Sequence, residues 1–169
     1  MALAQFNLVK RVGTSPGNES NTSWNPCLLG SDVVSTDTGS YPIPAPDTGY
    51  SYSYESWLRL DCTTAPDNGT GNFKVWFSAN DPDTGVELFI GTTATYATPV
   101  STASSVATTD ATTYSSSGAA MTLGTPQTDD EITTTSHFSD YFVLQLRIDT
   151  TAGQGDMPTQ VLHIRYDEW

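Results

Sequence analysis

Basic residues are scarce in this chain. Six Lys or Arg face 19 Asp or Glu across 169 residues, for a formal net charge of -13. That imbalance argues against a nucleic acid or an anionic membrane surface as direct partner, since both are held by clustered cations. It favours solubility and mutual repulsion between copies. Charged residues of both signs make up only 15% of the chain, and Thr and Ser carry much of its polarity, so a halophile's composition explains little here. Cysteine is nearly absent: Cys27 and Cys62 show no metal-type spacing and read as two separate thiols, with a disulfide as the alternative. His137 and His163 are the only histidines, and neither falls in a ligand pattern. The first ten residues lack the basic-then-apolar order of a signal peptide. No apolar run approaches membrane-spanning length. Without a secretory route, the sequons beginning at Asn18, Asn21 and Asn68 carry little weight. A helical period and an internal repeat are both missing.

What the chain has is period-two alternation, punctuated by Gly, Pro, Asn and Asp. Gln5 to Val12 reads as a first strand, with Phe6, Leu8, Lys10 and Val12 on one face. Val33-Val34 reads as a small strand, and Tyr41 to Pro46 as a polyproline-like crossing. Tyr50 to Cys62 sets Tyr54, Leu58, Leu60 and Cys62 against Glu55, Trp57, Arg59 and Asp61. Its expected partner is Phe73 to Phe77, reached through the Ala65 to Gly71 loop, and Val86 to Ile90 follows. Tyr141 to Ile148 and Gln160 to Tyr166 read as a long antiparallel hairpin closing the chain. The expected core comprises Leu58, Leu60, Phe73, Val75, Phe77, Leu88, Phe142, Leu144, Leu146, Ile148, Leu162 and Ile164.

Between these segments, residues 92–125 are about half Thr or Ser, with Asp110 as the lone charge. Such a stretch is expected to bury little apolar area against its ordering entropy, with weak strands near Tyr96 and Tyr114. The whole predicts one domain over 1–169, large enough for a core without metal or disulfide support. The expected fold is an all-β, two-sheet β-sandwich, jelly-roll-like, with essentially no helix. Residues 1–12 are a candidate N-terminal arm.

Chemistry is thin. Asp81-Pro82-Asp83-Thr84-Gly85 resembles a calcium loop, but the twelfth position from Asp81 is Thr92 rather than a glutamate, so a plain β-turn is expected. Asp129, Asp130 and Glu131 read as solvated loop acids, and no Gly-x-Ser-x-Gly elbow supports a nucleophile. No enzyme activity, cofactor or obligatory metal is expected. All six basic residues, however, fall in expected strands, and Trp57 with Arg59 and Lys74 with Trp76 alternate on the expected non-core face. Two readings stand. Either these residues form a contact surface, as Trp and Arg do at interface hot spots, or the cations pair across strands with Asp61, Glu55 or Glu87 while Trp packs beneath a loop. Candidate contact residues are Phe6, Leu8, Lys10, Arg11, Trp57, Arg59 and Trp76.

Three segments carry a resemblance: Tyr54-Glu55-Ser56-Trp57-Leu58-Arg59-Leu60, Gly71-Asn72-Phe73-Lys74-Val75-Trp76 and Tyr141-Phe142-Val143-Leu144-Gln145-Leu146-Arg147, with the ending Ile164-Arg165-Tyr166-Asp167-Glu168-Trp169. In this order they resemble small virion structural proteins of tailed bacteriophages, over roughly 50–90 and 140–169. The resemblance implies a capsid decoration (cement) protein. It would be made in the host cytoplasm and bind the major capsid protein from the capsid exterior, as a homotrimer bridging subunits, with no nucleic acid or membrane contact. The alternatives are a carbohydrate-binding β-sandwich, with Trp57, Trp76 and tyrosines stacking on sugars, and a tail or head-fibre component.

Overall fold

The computed structural model describes residues 3–23, 29–31, 41–78, 82–155 and 159–169. Val33-Val34, Cys27 and Asp81 lie outside the described residues. The strands are β1 Gln5–Val12, β2 Ser20–Ser23, β3 Tyr50–Tyr52, β4 Ser56–Thr64, β5 Thr70–Phe77 and β6 Val86–Thr93. They continue as β7 Thr109–Asp110, β8 Met121–Leu123, β9 Glu131–Ile132, β10 Tyr141–Asp149 and β11 Leu162–Glu168. Three short 3-10 turns are the only helical elements among the described residues. The protein is all-β.

Two antiparallel sheets form the sandwich. The larger has seven strands in the order β2-β1-β4-β10-β6-β7, with β3 also paired to β10; the smaller has four, β11-β5-β8, with β9 also paired to β5. Both hairpins expected from the sequence are absent. β4 pairs with β1 and β10, and β5 pairs with β11 in the opposite layer. Likewise β10 lies in the large sheet and β11 in the small one. Length explains the second case: the link from Asp149 to Leu162 exceeds the two to about five residues of a hairpin loop and instead crosses between layers roughly 10 Å apart.

Alternation nonetheless places the core correctly. Leu58, Leu60, Phe73, Val75, Phe77, Leu88, Phe142, Leu144 and Leu146 share one buried cluster, and Leu162 and Ile164 pack against it half-buried. Ile148, near the end of β10, is only half-buried. Phe6 meets Phe73 and Tyr166 edge-on at 5.4 and 4.9 Å between centroids, fastening β1 to the small sheet. Gln5–Val12 is therefore an internal strand, hydrogen-bonded on both sides by β2 and β4. A free arm over 1–12 is ruled out from Gln5 onward, because its apolar face is committed to the core.

The Thr/Ser-rich segment 92–125 also departs from expectation. Its first half lies over the large sheet and closes a second core of Trp57, Tyr96, Ala107, Tyr141 and Val143, while Met121–Leu123 joins the small sheet as β8 and, with Ala111, packs into the main core. It buries Tyr96, Ala107, Ala111, Met121 and Leu123, and buried polar side chains of the sheet hold its backbone as well. Gln145, 2% exposed, donates from Nε2 to the Ser53, Thr102 and Val100 carbonyls at 2.9, 2.8 and 3.3 Å, and its Oε1 accepts the Ser104 N–H at 2.9 Å. The Glu55 carboxylate accepts the Trp57 indole N–H at 2.8 Å and the Val100 N–H at 3.3 Å. Gly91 permits the close approach: a Cβ there would stand 1.9 Å from the Val106 carbonyl oxygen.

Candidate interaction surface

The two outer faces of the sandwich differ in kind. On the large sheet, register sets Arg11 opposite Trp57, Val143 opposite Trp57 and Arg147 opposite Glu87. Trp57 is 1% exposed, meeting Tyr96 and Tyr141 edge-on at 5.3 and 5.7 Å. The Tyr96 hydroxyl donates to the Gly13 carbonyl at 2.8 Å and, chiefly through burial, is pushed up to about 12. Arg59, 6% exposed, pairs with Asp61 at 2.8 Å and lies 3.9 Å over the Phe138 ring. Arg11 pairs with Glu19 at 3.9 Å, and Arg147 with Glu87 at 2.5 Å between Tyr50 and Phe89. Around Trp57 this face is covered by its own chain, and its cations are paired.

Trp57 and Arg59 are thus unavailable to a partner; on this face the second reading of the sequence holds, with Arg59 paired to Asp61, Arg147 to Glu87, and Trp57 packed beneath the segment that carries Tyr96 and Ala107. Lys10 is 1% exposed on the inward face of β1. Phe6 and Leu8 pack against the main core. Of the seven candidate contact residues, Arg11 and Trp76 keep partial exposure without membership of that core.

The small sheet is organised differently. Lys74 on β5 lies directly opposite Arg165 on β11, and Trp76 directly opposite His163. The Trp76 and His163 rings stack with centroids 5.1 Å apart and planes 7° from parallel. Thr122 of β8 flanks Lys74 on its other side and accepts from its Nζ at 2.7 Å. Arg165 and Thr122 are exposed, and Lys74, Trp76 and His163 are half-exposed. Among the described residues, neither Lys74 nor Arg165 meets a carboxylate, whereas Arg11, Arg59 and Arg147 each do. The result is a compact patch of two cations beside a stacked aromatic pair, on a protein of net charge -13.

No family model, curated protein or solved structure matches the chain. The patch must therefore be read on its own chemistry. His163 and Arg165 alternate with Leu162, Ile164 and Tyr166 along one strand, but their union with Lys74 and Trp76 needs the β5–β11 pairing, which joins segments about ninety positions apart.

A second concavity lies at the far end of the small sheet. It is an open hollow of about 430 Å³ lined by Pro126, Gln127, Thr128, Asp129, Glu131, Thr133 and His137. Its acid–base groups are engaged structurally: Glu131 accepts the Trp169 indole N–H at 3.2 Å, and His137 Nδ1 accepts the Thr133 N–H at 3.4 Å. Beside it, burial raises the Asp140 carboxyl, with a further push from the Asp130 charge. Among the described residues, no three His, Cys, Asp or Glu side chains gather at metal-binding distance. Cys62 carries a free, buried thiol, raised by desolvation.

Proposed function

We propose that the chain is a non-catalytic virion protein of tailed bacteriophages, a capsid decoration protein that docks on the major capsid protein from outside. The observation that carries this reading is the open outer face of the four-stranded sheet, where Lys74, Trp76, His163 and Arg165 converge while the opposite face is closed by residues 94–108. Trp and Arg are the residues that dominate binding energy at protein interfaces. The segment resemblance over 50–90 and 140–169 supplies the virion context, and both cation-bearing strands of the face lie within it. On this reading Lys74, Trp76 and Arg165 take the contact role in place of the buried Trp57 and Arg59. A protein of this kind acts by binding the assembled shell alone, which stabilises that shell by an amount set by concentration over dissociation constant. Multiple copies, as a homotrimer or an outer layer, fit this role.

A sugar-binding role is less favoured by the same face. A sugar platform needs aromatic faces free and side by side, whereas Trp76 and His163 each cover a face of the other. The test is to mix purified protein with expanded capsids and measure occupancy and capsid melting temperature. Saturable occupancy with a raised capsid melting temperature is expected. Failure of the wild-type protein to bind capsids removes the function.

A further inference from the structure

We propose that the small-sheet face recognises a carboxylate-bearing, extended segment of a partner protein, with Lys74 and Arg165 as the anion-binding pair and the Trp76–His163 stack as its apolar floor; this deepens the docking function proposed above. Cross-strand neighbours hold their Cβ atoms about 4.5–5.5 Å apart, and like charges in that position are destabilising. Lys74 and Arg165 stand in that relation. The chain has 19 carboxylates with which to relieve the repulsion. It uses them at Arg11, Arg59 and Arg147, on the face it seals itself. On the open face, among the described residues, Lys74 has only a hydroxyl and Arg165 has no carboxylate. The missing negative charge is the complement a partner would bring.

The ligand's shape follows from the sheet. Arg165 and His163 are two residues apart on β11, and Lys74 and Trp76 two apart on β5, so each strand sets a cation beside a ring on one face. That spacing is about 7 Å, the repeat of same-side residues along an extended chain. A carboxylate facing Arg165 and Lys74 thus comes with a flat or apolar group over Trp76 and His163 two residues away. Arg offers a planar fork to the carboxylate, which ties recognition to geometry as well as charge. The chain as a whole carries a net charge of -13, which disfavours an acidic partner over most of the surface and biases docking to this patch.

The experiment uses the full chain with an octaglutamate peptide, and with octalysine and a neutral Gly-Ser octapeptide as controls. Nuclear magnetic resonance shifts at residues 72–76 and 163–165, with Trp fluorescence, report binding. Octaglutamate is expected to shift this face alone, and the K74E/R165E variant, its fold checked by circular dichroism, to bind roughly tenfold more weakly or worse. Shifts elsewhere, equal binding of the neutral peptide, or binding of neutral oligosaccharide in place of octaglutamate would overturn the assignment. So would concentration-dependent dimers of the wild type that K74E/R165E abolishes, which would give the face to a second copy. The capsid assay separates the two claims. Wild-type protein that ignores capsids but binds octaglutamate removes the decoration role and leaves the acidic partner standing; K74E/R165E that occupies capsids as well as wild type removes the acidic partner and leaves the decoration role.

Discussion

Burial holds the Asp140 carboxyl above the ordinary aspartate range, and the neighbouring Asp130 charge adds to the shift. Its Oδ1 is enclosed without a hydrogen-bond partner, so ionisation at neutral pH is uncompensated there. A carboxyl that binds its proton more tightly folded than unfolded contributes stability below its unfolded pKa and loses it as pH rises through the folded value. Asp140→Asn is therefore expected to melt higher than wild type at pH 7, with the gain vanishing as pH falls below the aspartate range. A lower midpoint at pH 7 would show that the carboxylate has a partner in solution. Nothing in the sequence singles out Asp140, which stands just ahead of the Tyr141 strand. The acids read there as solvated include Asp130, which sets part of the Asp140 shift, and Glu131, which Trp169 engages from the far end of the chain.

At the scale of elements, strands were visible and their partners were not. Period-two alternation names the residues that point inward, whichever strand lies alongside, so β4, β5, β6 and β10 could be read from local order. Pairing depends on which layer a strand enters, and an Asp-Asn-Gly loop serves a crossing as well as a hairpin. The Thr/Ser segment was misjudged for a different reason. Its few apolar residues looked too sparse to hold it down, but Tyr96, Ala107, Ala111, Met121 and Leu123 are buried, and Gln145 and Glu55 add hydrogen bonds from what look in the sequence like ordinary outward polar positions. Gln145→Ala should strip the Ser53, Val100 and Thr102 carbonyls and the Ser104 N–H of their partner. A loss of about 2 kcal/mol or more is expected, since each buried polar group left unmet costs roughly 1–3 kcal/mol. Hydrogen exchange should quicken first at 100–107. Uniform quickening throughout the sandwich would mean that the segment is not a separable unit.

For the whole molecule, net charge acts on every part of the surface at once. Among the described residues the Arg11–Glu19 and Arg147–Glu87 pairs are partly exposed, and such pairs contribute about 0–1 kcal/mol each, while Arg59 is buried beside Asp61. Repulsion among the excess acids acts over the entire surface and is screened within about 8 Å at physiological ionic strength. Added sodium chloride is thus expected to raise the melting midpoint by roughly a few degrees from low salt to physiological strength. A falling midpoint would give the ion pairs more weight than the net charge. The same excess explains why composition alone hid the docking face: two cations among 19 acids vanish in a sum and emerge only when β5 and β11 lie side by side.

One contact has a geometric consequence for handling the protein. The Ala4 N–H donates to the Glu168 carboxylate and the Tyr166 hydroxyl donates to the Ala4 carbonyl, so the first and last strands finish at one corner of the sandwich. A reporter fused to either end would leave from nearly the same point, on the β1–β11 side. A short linker would close the backbone into a ring, and the bond could then be reopened at Gly153, where a Cβ would meet nothing within 4 Å. None of the eleven strands of the described residues would be cut by that rearrangement.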